Sequence, residues 1–135
     1  MHRNLIKTAT VFAALSVLLG AFGAHELKKL LPEGQSLTSY QTGVTYQFYH
    51  SLALLALGIL YKRYPNKKME WAGYFFVSGM ILFSGSLYLL TFLESTKKVG
   101  LGGFGFLTPI GGILLVAGWI SFFLGIPKVK NMEKE

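Results

Sequence analysis

Residues 72–93 read AGYFFVSGMILFSGSLYLLTFL. The run holds no Asp, Glu, Lys or Arg, and a helix of ~20 residues at ~1.5 Å per residue crosses the ~30 Å hydrocarbon core of a bilayer. Its middle, Leu82-Phe83-Ser84-Gly85-Ser86-Leu87-Tyr88-Leu89-Leu90, carries three hydroxyls and a glycine. Polar side chains at membrane depth are costly, so they turn towards other helices, water or a ligand rather than lipid. This segment is therefore read as the centre of a bundle, with Gly85 as a point of close helix approach.

Three further apolar runs flank it. Of 135 residues, 52% are hydrophobic and 14% charged, against roughly 25% charged in soluble domains. The charges gather in five patches between four runs, at about 5–24, 42–61, 72–93 and 106–126. The expected fold is an all-α integral membrane four-helix bundle, a single transmembrane domain over 1–135. Arg3 and Lys7 ahead of the first run, with Ala21-Phe22-Gly23 near its end, also resemble a signal peptide. The run exceeds the ~7–15-residue core of such peptides and is read as an uncleaved span.

The connections carry their own signals. Glu26 to Leu31 forms an interfacial helical turn before Pro32 stops it. Pro65-Asn66 marks a turn. The third loop ends in Gly100, Gly102, Gly103 and Gly105, and Pro109 sits in the first turn of the last span, where a missing N–H costs least. The charged tail after Pro127 is expected to be disordered. Ala9, Ala13, Ser16, Gly20 and Ala24 recur at helical spacing, and Gly111, Gly118 and Gly125 fall seven apart. Both are stripes on which membrane helices pack closely. No internal repeat suggests an inverted-repeat transporter.

Nine Lys and Arg residues lie in the N-terminus, second loop and tail, and four in the first and third loops. The positive-inside rule then gives an N-in, C-in topology. Tyr61, Tyr64, Trp71, Tyr74 and Trp119 fall near the inner interface, and Tyr40, Tyr46 and Tyr49 near the outer. The net charge of +7 is accounted for by these flanks and by anionic headgroups, so the bilayer is the expected partner and nucleic acid is not. The glycine ladder leaves a second partner open, either another membrane protein or another copy of the chain.

On this topology the polar residues of all four spans fall in the outer half: His25; Tyr46, Gln47 and His50; Ser84, Ser86 and Tyr88; and Thr108. His50 sits ~10 Å below the entrance of its span. Ser84 and Tyr88, four apart, share a face, and Ser86 lies on another. Two readings stand side by side. One is interhelical hydrogen bonding that holds the bundle together, each bond worth roughly 0.6 kcal/mol. The other is an outward-opening pocket for a small amphipathic or lipid-like ligand, lined by His50, Tyr88 and Thr108.

Other chemistries fit less well. A proton-coupled exporter of the small four-span type needs an embedded carboxylate, and Glu26 and Glu94 lie only at span ends. Paired haem ligation needs two histidines at one depth, and His25 and His50 are offset. A Ser–His hydrolase built from Ser84 or Ser86 with His50 lacks an orienting carboxylate and a nucleophile elbow. The absence of cysteine removes thiolate catalysis and Cys-based metal sites, and no zinc-type His/Glu spacing occurs. No catalytic residue, cofactor or metal is expected, and the chain is read as a non-enzyme with a structural or accessory role in the cell envelope.

Four stretches taken together carry a resemblance: Leu19-Gly20-Ala21-Phe22-Gly23-Ala24-His25, Tyr46-Gln47-Phe48-Tyr49-His50, Leu82 to Leu90, and Thr108-Pro109-Ile110-Gly111-Gly112 with Gly118-Trp119. In this order they resemble the small four-span family known as domain of unknown function 423, over roughly Leu5 to Ile126. The resemblance implies a small uncharacterised protein of the bacterial plasma membrane. It supplies no catalytic residue, cofactor or substrate to carry over.

Overall fold

The computed structural model describes residues 1–31, 34–96 and 105–127. Pro32, Glu33, residues 97–104 of the third loop and the tail from Lys128 lie outside the described residues. Four helices run through the rest. The first, α1 (His2–Phe22), passes through a π-helical turn, Gly23–Leu27, into a last α turn, Lys28–Leu30. It is followed by α2 (Gln35–Tyr61), α3 (Lys67–Ser95) and α4 (Leu107–Gly125). All four are long and apolar enough to cross a membrane.

The helices overrun the apolar runs at several ends. α1 carries His25 and Glu26 inside a continuous helix and stops at Leu31, whose backbone is extended (φ −116°, ψ 132°). The residue before a proline is pushed out of the α region in just this way. α2 begins at Gln35 rather than near Thr42, because Ser36, Thr38 and Thr42 are accommodated in helix; Thr38 and Thr42 bond back to carbonyls four residues earlier. α3 begins at Lys67, where Asn66 accepts from the Met69 N–H as a side-chain cap and so satisfies one of the orphan amides of the first turn.

Packing follows chain order, with α1 on α2, α2 on α3 and α3 on α4. α2 is the least apolar of the four and the most buried. The start of α1 and the end of α4 lie at one end. There Leu5 and Ile6 pack on Gly58, Leu5 on Gly73, and Gly125 on Met69. The main core fills this half with Leu54, Leu57, Met69, Ala72, Phe76 and Met80. A smaller cluster at the opposite end joins Leu27, Leu31, Leu37 and Tyr40. Lipid is as apolar as leucine, so these contacts stabilise by close van der Waals fit rather than by removal from water.

The glycine ladder shows where that fit is closest. Gly111, Gly118 and Gly125 of α4 face Phe83, Phe76 and Met69 of α3, and between them Leu115 of α4 rests on Gly79. Large residues on each helix thus meet glycines on the other, and the ladder is spent inside the chain rather than on a second copy. Gly20 approaches Val44, with 3.3 Å left for a β-carbon. Gly85 requires a correction: nothing lies within 4 Å of where its β-carbon would be. The close approach expected there falls at Gly43 instead, against Tyr88 and Leu87. On α1 the small-residue stripe packs at Ala9 and Ser16, while Ala24 is exposed.

Candidate functional site

His50 lies fifteen residues beyond Gln35, or about 22 Å along the helix, and so near the middle of α2. At that level it meets Trp119. The indole Nε1–H donates to His50 Nε2 over 3.2 Å. His50 Nδ1 lies 2.7 Å from the Tyr46 carbonyl oxygen. A carbonyl can only accept, so Nδ1 carries the proton and Nε2 is the acceptor. The ring is a neutral imidazole with both nitrogens committed, packed against Phe76 and Trp119 at centroid distances of 5.9 and 6.1 Å. Tyr46 stacks at 5.9 Å on one side and touches Phe83 on the other.

A second link lies on the other face of α2. Tyr88 donates its hydroxyl to Gln47 Oε1 at 2.9 Å, and Gln47 Nε2 donates to the Phe12 carbonyl of α1 at 3.0 Å. One amide thereby joins three helices. The adjacent Ser51 hydroxyl caps the Gln47 carbonyl at 2.6 Å. Tyr40, whose ring lies 5.2 Å from that of Tyr88, donates to the Leu19 carbonyl at 2.7 Å. A third link joins Ser86 of α3 to Thr108 of α4, hydroxyl to hydroxyl at 2.6 Å. At the end away from the start of α1, Ser36 bonds the Glu94 carboxylate, and Thr91 reaches the Ser36 carbonyl at 3.2 Å.

The eight candidate residues therefore do not converge on one point. Tyr46 and His50 belong to the α2–α4 link, Gln47 and Tyr88 to the α1–α2–α3 link, and Ser86 and Thr108 to the α3–α4 link. His25 is exposed on the π turn and joins none of them. Ser84 is buried at 1% exposure, and its Oγ has no hydrogen-bond partner, the one such buried side-chain atom among the described residues. None of five cavities of about 230–470 Å³ among the described residues is lined by His50 or Thr108. Tyr88 lines an apolar one of about 230 Å³ between the last turns of α1 and the end of α3.

Trp119 is the partner that sequence reasoning missed. Its residue type points to an interface, where tryptophan commonly sits, and its distance of 69 residues from His50 leaves no local trace of their pairing. Ser51 and Thr91 were also passed over, although each falls four residues from a polar neighbour on its own helix (Gln47, and Ser95 with Leu87 behind it). The chemistry open to this arrangement is narrow. His50 has no free nitrogen for proton transfer, and among the described residues no three His, Asp or Glu side chains gather as metal ligands would.

The protein-family model described as "Protein of unknown function (DUF423)" matches residues 19–112. An UPF0382 membrane protein of Haemophilus influenzae is 40% identical over 132 residues, covering 98% of this chain and all of its own. The UPF0382 inner membrane protein YgdD of Escherichia coli strain K12 is 38% identical over 125 residues, or 90% of each chain. An UPF0382 membrane protein of Staphylococcus saprophyticus is 37% identical over 128 residues, 92% of this chain and all of its own. No solved structure matches. With four helices able to span a bilayer, this is a multi-pass plasma-membrane protein, and it belongs to the DUF423 family.

Proposed function

We propose that this protein is a non-catalytic membrane bundle with a structural or accessory role in the cell envelope, a single domain with both termini in the cytoplasm. One observation carries the reading. Apart from Ser84, whose hydroxyl has no partner, the candidate side chains within the spans spend their hydrogen bonds on neighbouring helices, and His50 has both nitrogens occupied. General acid–base catalysis needs a titratable group within reach of a substrate proton, and His50 is not free to serve as one. Its partners are then the bilayer and other membrane proteins, met through the lipid-facing sides of α1 and α4.

The test removes hydrogen bonds while keeping volume. Gln47→Leu and His50→Leu are expected to lower thermal stability in detergent, and any envelope phenotype is expected to follow the loss of folded protein. A variant of undiminished stability and abundance that abolishes such a phenotype would overturn the reading. A second reading, the binding of a lipid-like ligand, is favoured by the apolar cavity beside the π turn, lined by Leu19, Phe22, Leu27, Tyr88 and Phe92. π turns inside α-helices are frequent at functional sites. Leu27→Trp, which fills the cavity, is expected to abolish retention of a co-purified lipid by native mass spectrometry; unchanged retention counts against it.

A further inference from the structure

A cleft of about 470 Å³, larger than the one beside the π turn, lies not at the polar links but where the start of α3 meets the end of α4. It is lined by Lys68 of α3 and by Phe123, Leu124, Ile126 and Pro127 around the end of α4. We infer that this cleft is a binding site for one anionic phospholipid, with the phosphate on Lys68 and an acyl chain along Phe123 and Leu124.

Three observations support this occupant. The first is the structure of the cleft. Asn66 donates to the Gly125 carbonyl at 2.9 Å and to the Tyr64 carbonyl at 3.0 Å, and Gly125 packs on Met69. The start of α3 is thereby held against the end of α4, so the walls do not depend on a ligand for their position. The second is charge. Lys67 is engaged with Glu70 at 3.5 Å, whereas Lys68 makes no ion pair among the described residues and stands exposed at the cleft. It occupies the first turn of α3, where free amides and the helix dipole also favour an anion. Lys62 and Arg63 lie in the loop just before it.

The third is depth. Trp71 and Tyr74 project outwards from α3 at 56% and 61% exposure, and such rings settle at the headgroup boundary. Lys68 is three residues nearer the helix start than Trp71, ~4.5 Å further out, at phosphate level. Phe123 and Leu124, at 77% and 53% exposure, continue towards the hydrocarbon. A cationic head above an apolar slot matches a phospholipid and not a soluble anion.

The experiment uses the full-length protein in a neutral detergent and native mass spectrometry with dioleoyl phosphatidylglycerol or dioleoyl phosphatidylcholine at equal concentration. Phosphatidylglycerol is expected to be retained preferentially. Lys68→Gln is expected to weaken it about fivefold, the effect of one lysine near an anionic surface, with phosphatidylcholine unchanged and Lys68→Arg close to wild type. Ile126→Trp, which fills the cleft with every charge intact, is expected to lose the same preference. Equal retention of the two lipids overturns the inference. So does an equal loss in Lys62→Gln, which would mean diffuse attraction to the basic end, or displacement of the lipid by glycerol phosphate at equal concentration, which would mean an anion site without an acyl slot. Efficient disulfide-linked dimers of Phe123→Cys, blocked by no lipid, would assign the cleft to a second copy instead.

Discussion

At the scale of single residues, the bundle distinguishes hydroxyls that look alike in sequence. Ser84 and Ser86 flank the same glycine, yet Ser86 bonds Thr108 and Ser84 bonds nothing. An orphaned buried hydroxyl costs free energy that its removal returns, so Ser84→Ala is expected to leave the melting temperature in detergent unchanged or raised. Ser86→Ala is expected to lower stability by about 0.6 kcal/mol, the average for an interhelical hydrogen bond in a membrane protein. The two melting curves side by side decide it, and a larger loss at Ser84 would mean that its hydroxyl does have a partner. For His50 and Trp119, a double-mutant cycle with His50→Leu and Trp119→Phe is expected to give a coupling between about 0.6 and 1.7 kcal/mol. Additive effects would mean that the 3.2 Å contact contributes nothing.

At the scale of elements, the α3–α4 pair is organised by glycines facing large residues. A β-carbon at Gly111 would collide with the Phe83 backbone nitrogen, and one at Gly118 would lie 2.7 Å from the Phe76 ring. Gly111→Ala has only backbone to push against and is expected to cost about 1–3 kcal/mol as overpacking. Gly85→Ala meets open space and is expected to be neutral or to gain about 0.5–1 kcal/mol from the better helix former. Chemical denaturation of both variants measures the contrast, and equal losses would refute this register. The heptad spacing of Gly111, Gly118 and Gly125 was legible in the sequence as a packing stripe. Its partner helix was not, because small residues permit close approach to any neighbour, and the complementary spacing of Met69, Phe76 and Phe83 is hidden in a run that is apolar all round. Gly85 illustrates the reverse: a glycine between two serines looks like a contact point, and rotation of α3 turns it outwards.

At the scale of the whole molecule, the four helices place the start of α1 and the end of α4 at one end, with the loop of Lys62 and Arg63 and the start of α3 at Lys67 and Lys68. The absence of cysteine makes orientation directly measurable. In intact cells a membrane-impermeant maleimide is expected to label Thr96→Cys, and to label Lys62→Cys only after permeabilisation; the opposite pattern would invert the topology.

The sequence by itself determined that there are four membrane-crossing helices, which of their faces are small, and where the positive charge lies. These follow from local composition, because a span must be apolar over its own length and must satisfy its own backbone. Only the tertiary structure decided that α2 starts at Gln35, that His50 meets Trp119 while Gln47 turns the other way to Tyr88, and that the polar residues form separate links rather than one site. Hydropathy records contact with lipid, not helicity, so the polar turns of α2 read as loop although Ser36 is held by Thr91 and Glu94. Partners 41 and 69 residues apart are selected by the rotation and stagger of whole helices, which no single stretch of chain encodes.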